Sequence, residues 1–204
     1  MTIVDQERPM RRLSAALVGG LLLGVLTNLA QGVLPGAWNQ LANSGAVWAV
    51  VAFCAGALLS RWGMAVSLIG GLCAECGLVL GYYGWAEVGR DGMGDWTWPL
   101  VWLAMAFLAG PLFGAAGACW RAGGRAWQRV AGLAVLAGVF GQEGLHYALV
   151  LGYEPQAWAC GTVFASAPLL GRTWPERAIT LPVAAALALL AHATVGSVLG
   201  GLSA

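Results

Sequence analysis

The chain has 204 residues, 59% hydrophobic and 9% charged, with a formal net charge of +1. A soluble domain carries about 25% charged residues, so the composition excludes a water-soluble protein and indicates a single integral membrane domain over 1–204. The near-neutral balance gives no reason to expect a nucleic acid or an acidic partner. All ten basic residues are Arg, which with the abundant Ala and Gly suggests a GC-rich bacterial genome and a bacterial cytoplasmic (inner) membrane.

Polar breaks mark off apolar runs of about 20 residues, the length that crosses a bilayer. They are Leu13–Leu34, Gly45–Ser60, Gly63–Trp85, Trp98–Cys119, Val130–Tyr153 and Glu176–Gly200. The first follows Arg8, Arg11 and Arg12 like a signal peptide, but it exceeds the usual ~7–15-residue apolar core and is read as a retained span. The expected fold is all-α, a polytopic transmembrane helix bundle of six spans. Arg8, Arg11, Arg12, Arg61, Arg121, Arg125 and Arg129 all fall on one side by six-span counting, which makes that side and both termini cytoplasmic. Ala157–Arg177 departs from this pattern, because Arg172 and Arg177 then lie outside. It is read as a re-entrant or surface helix, or as a seventh, incomplete span that would put the C-terminus outside.

Eleven tryptophans stand mostly at span ends, as an aromatic belt requires. Outer ones (Trp85, Trp96, Trp98, Trp102) are also placed to roof a ligand pocket. Cys54, Cys73, Cys76, Cys119 and Cys160 lie mostly in apolar runs, poor placement for a secreted disulfide framework. Cys73-Ala-Glu-Cys76 has redox spacing but sits mid-span rather than at a helix start, so packing is the stronger reading.

Glu75 and Glu143 carry the functional reading. Each lies inside an apolar run with no Arg or Lys, and a charge at that depth costs roughly 2.5–3.5 kcal/mol on insertion scales. Both are expected roughly 18–20 Å from the inner end of parallel helices, so they are read as one shared site. Tyr82 shares the Glu75 face, and His146 and Tyr147 share the Glu143 face. Two carboxylates in low dielectric call for protons, a cation, or an Arg from elsewhere, and no span offers a mid-membrane Arg. The plain alternative is a protonated, hydrogen-bonded carboxyl between helices. Tyr82 and Trp85 are expected to line the way in. Asn28 and His192 are further candidates, each also readable as interhelical glue. Glu143-x-x-His146 is half of a di-iron motif without its second half, so neither a metal nor a cofactor is expected.

Ala16, Gly20 and Gly24 form a small-residue face on the first span, suited to internal packing or to a membrane partner subunit. Gly110-Pro-Leu-Phe-Gly-Ala-Ala-Gly-Ala118 forms another. On these features, with its size, span number and outward-leaning site, the chain resembles the substrate-binding S components of energy-coupling factor vitamin transporters. That resemblance implies a coupling subunit docked through Ala16, Gly20 and Gly24. The chain is also similar to small bacterial polytopic membrane proteins of unassigned function. In chemistry only it resembles small multidrug exporters, which exchange protons for organic cations at an embedded Glu with Tyr and Trp. The expected function is a transporter, or a transporter's substrate-binding subunit, for a cationic or amine-containing solute. The alternatives are an intramembrane enzyme, thiol- or metal-dependent, and a non-catalytic assembly subunit.

Overall fold

The computed structural model describes residues 3–90 and 92–202, with side chains described for 10–90 and 92–194. Without water to satisfy its N–H and C=O groups, an apolar chain in hydrocarbon must close its hydrogen bonds within each segment. The chain does so as helices: α1 (Ile3–Val33), α2 (Trp38–Ala42), α3 (Gly45–Leu59), α4 (Met64–Gly89), α5 (Thr97–Ala122), α6 (Ala126–His146), α7 (Glu154–Ser166) and α8 (Trp174–Leu202). Among the described residues there is no strand, and six helices are long and apolar enough to cross a membrane. The protein is a multi-pass membrane protein.

The chain divides into two compact units, Met1–Ala122 and Gly123–Ala204. In the first unit α4 is the central helix, and glycine decides how closely its neighbours approach. A β-carbon at Gly20 or Gly24 of α1 would stand 2.1 or 2.2 Å from the carbonyl oxygens of Ala74 and Leu78 on α4. Gly77 and Gly81 meet the Leu17 and Leu21 carbonyls of α1 in the same way. The two helices therefore interlock small residue against backbone and run parallel. On the other side of α4, Gly71 meets Gly110 and Gly114 of α5, and Gly114 in turn meets Gly56 of α3. A 3-10 turn (Ser60–Trp62) and Gly63, at φ +102°, reverse the chain from α3 into α4.

In the second unit α6 ends in a π turn (Tyr147–Leu151), and Gly152, at φ +67°, reverses the chain into α7. α7 then runs antiparallel to α6. Gly144 meets Cys160 and Ala157, Gly141 meets Phe164, and Ala134 and Ala137 share a buried cluster with Ala167. The 13 residues of α7 and the 4 of the following 3-10 turn (Ala167–Leu170) rise about 27 Å together. α8 packs on α6 in parallel, with Gly138 against Ala184 and Leu187, and Gly141 against Ala188.

Six helices remain long enough to cross a membrane, and at segment 157–177 the packing matches the second of the two readings, an incomplete seventh span. By packing back along α6, that segment starts α8 from the end where α6 started, instead of leaving it at the far end. Arg172 and Arg177 thus share an end of the unit with Arg125 and Arg129. The arginine asymmetry that six-span counting broke is restored within this unit.

Candidate functional site

Glu75 belongs to the first unit and Glu143 to the second, and each has its own surroundings. Glu75 stands 11 residues past Met64, about 17 Å along α4. It is 4% exposed, and its Oε1 has no hydrogen-bond partner. Leu78, Val79 and Tyr82 follow it along the α4 face at helical spacing. These three join Trp48 of α3 and Ala106 of α5 in a buried cluster, with Cys76, Tyr83, Trp102 and Leu103 packed around it.

The rings of this cluster are ordered. Trp48 meets Tyr82 edge-on at 5.6 Å between centroids and Trp102 at 5.3 Å, while Tyr83 meets Tyr82 edge-on at 5.0 Å. The Trp48 indole Nε1 is buried and, like Glu75 Oε1, without a partner. A buried polar atom left unpaired costs about 1–3 kcal/mol, and here a lone acceptor and a lone donor occur in one unit. A carboxylate and several ring faces are the parts from which organic-cation sites are made.

Asn28 and Tyr82, expected to line the ligand, also take part in the helix packing. Asn28 is 1% exposed and donates its Nδ2 to the Tyr82 carbonyl at 3.0 Å. The Tyr82 hydroxyl donates to Gln31 Oε1, and Arg90 donates to the Asn28 carbonyl at 2.5 Å. This network fastens the C-terminal end of α1 to α4, the interhelical role the sequence also allows for Asn28. Trp85 is half-buried and lies over Gly89 of its own helix. Of the outer tryptophans, Trp102 is in the ring cluster, whereas Trp96 and Trp98 are exposed. Gly20 and Gly24 face α4, and Ala16 is half-buried.

Glu143 sits in the last turn of α6. That helix begins at Ala126, four residues before the apolar run, where the Arg125 amide donates to Gln128 Oε1 at 3.1 Å. Glu143 is therefore about 26 Å along α6 from Ala126, and about 20 Å from Val130 where the apolar run starts. It is half-buried and accepts the Tyr147 hydroxyl at 3.0 Å. Tyr147 opens the π turn and stacks on Tyr153 at 6.3 Å. Single π turns often mark functional places in helices. Across from α6, α7 buries Cys160 and Gln156, and Gln156 Oε1 has no partner. His146 is half-buried, and half-buried His192 lies one turn beyond Ala188 on the stripe that α8 turns to α6.

Sequence reasoning named Tyr82 and Trp102 but missed Trp48 and Tyr83, which pack against Tyr82. It also missed the ion pair of Arg129 with Glu176, because both residues look like loop charges. Among the described residues no three His, Cys, Asp or Glu side chains come together to hold a metal ion.

No curated protein and no solved structure matches the chain. The profile of a family of unknown function, DUF6518, matches residues 4–201. The chain belongs to that family.

Proposed function

We propose that this protein binds a cationic or amine-containing small molecule in the membrane, as a transporter or a transporter's substrate-binding subunit, in a bacterial cytoplasmic membrane. One observation carries the reading: the Glu75 carboxyl is buried with an unpartnered oxygen, on the helix face that leads to the Trp48–Tyr82–Trp102 rings. A buried carboxylate is relieved by a proton or by a cation, and a ring cluster favours the cation. Glu143, which accepts the Tyr147 hydroxyl beside a π turn, is a further acid, in the second unit. Proton exchange at such acids would supply the coupling.

The test is binding of a permanent organic cation, tetraphenylphosphonium, to the purified full chain, together with native mass spectrometry for any amine it carries. Wild type should bind the cation in competition with protons, and Glu75→Gln should lose at least ten-fold in affinity. Equal binding by wild type and Glu75→Gln would remove the basis of the proposal. A subunit role additionally requires that a constant membrane partner co-purifies.

A further inference from the structure

A trough of about 690 Å³ opens on the first unit between α1 and α3, with Ala74 of α4 in its floor. Its walls are apolar and include Ala15, Gly19, Leu23, Val51 and Leu58. At one end stand Arg12, Arg61, Trp62 and Arg121. These come from three separate places in the chain: the early part of α1, the turn after α3, and the end of α5. Positive-inside bias alone puts arginines on one side of a membrane; it does not draw them to one cavity.

Trp62 organises the charges. The Arg61 guanidinium lies 3.8 Å over its ring, and that of Arg12 lies 5.2 Å from the same ring centroid. Among the described residues neither Arg12 nor Arg61 has a carboxylate partner. Two like charges gathered at one indole repel each other, and an anion bound at that end of the trough offsets the cost. The apolar walls leading away from this end have no use for a free anion, but they match an acyl chain.

We propose that the trough is a binding site for an anionic phospholipid, with the phosphate on Arg12 and Arg61 beside Arg121. One acyl chain lies over Gly19 between Leu23 and Leu58. Basic pockets between transmembrane helices on the cytoplasmic side commonly take such headgroups. The site is separate from Glu75, and the proposal does not depend on the amine reading.

Native mass spectrometry of the full chain, titrated in neutral detergent with phosphatidylglycerol or phosphatidylcholine of identical chains, tests it. Phosphatidylglycerol should be retained preferentially, with roughly fivefold of that preference lost for each of Arg12→Gln and Arg61→Gln. Gly19→Leu provides a second variant, because a β-carbon there meets nothing within 4 Å. It should fold as wild type does in lipid-free detergent and yet lose the bound phospholipid by filling the trough. Three results would each overturn the site: equal retention of the two lipids, full preference in Arg12→Gln/Arg61→Gln, or unchanged retention in Gly19→Leu. So would a thermal shift with inorganic phosphate alone equal to that with phosphatidylglycerol, since the chain would then contribute nothing.

Discussion

Arg129 in the first turn of α6 pairs with Glu176 in the first turn of α8, 47 residues later. The guanidinium Nε donates to Glu176 Oε1 at 3.1 Å, its NH1 group donates to the Gly123 carbonyl at 2.9 Å, and the Arg172 amide donates to Glu176 Oε2 at 3.0 Å. One carboxylate therefore gathers the start of α6, the loop before α8 and α8 itself. It fixes the parallel course of the two helices.

A topological prediction follows. Single cysteines introduced at Arg125, Tyr153 and Arg172 in a cysteine-free background are probed in intact cells with an impermeant maleimide. Positions 125 and 172 should react from the same side, and position 153 from the opposite side. Positions 125 and 172 reacting from opposite sides would restore the six-span course and remove the antiparallel return of α7.

The ion pair should also be unequal to its parts. Removing one member leaves the other unpaired, so Glu176→Ala and Arg129→Ala should each lower the thermal midpoint more than the double variant does. Additive losses would mean that each residue acts alone.

Glycine contacts in the first unit give a steeper effect. Gly24→Ala forces a β-carbon onto the Leu78 carbonyl, and backbone cannot move aside as a flexible side chain can. A loss of about 2 kcal/mol is expected from overpacking, read as a lower unfolding midpoint in detergent. Gly19→Ala, on the open side of the same helix, should cost nothing. Similar values for both would mean that α1 does not interlock with α4.

Glu75→Gln keeps the shape of the side chain and removes its charge. Because the carboxyl is buried with an unpartnered oxygen, the variant should be as stable as wild type or more so while losing cation binding. Asn28→Ala should do the reverse. It removes the bond to the Tyr82 carbonyl and costs about 1–2 kcal/mol, with cation affinity little changed. A large fall in affinity with Asn28→Ala would return that residue to the ligand.

The sequence reading also expects Glu75 and Glu143 to serve one ligand. If they do, Glu75→Gln and Glu143→Gln will be strongly non-additive in cation affinity, since either loss disables the same event. Independent effects, each unchanged in the background of the other, would assign them to separate sites.

The membrane class, the all-helical fold and the main spans were legible in the chain, because hydrocarbon permits only self-satisfied backbone and sets a minimum run of apolar residues. Glu75 and Glu143 stood out for the same reason: in apolar runs a charge has few explanations. What the linear pattern did not carry was direction and partnership. α7 is too short and too polar at its start to register as a span, and only its packing along α6 shows that it turns the chain back. Gly20 and Gly24 suit an internal neighbour or an external one equally well; the matching Gly77 and Gly81, a helix away, decided for α4. Asn28 became glue and Trp48 a ring beside Tyr82 through contacts between residues far apart in sequence, which depend on how helices rotate and slide against one another.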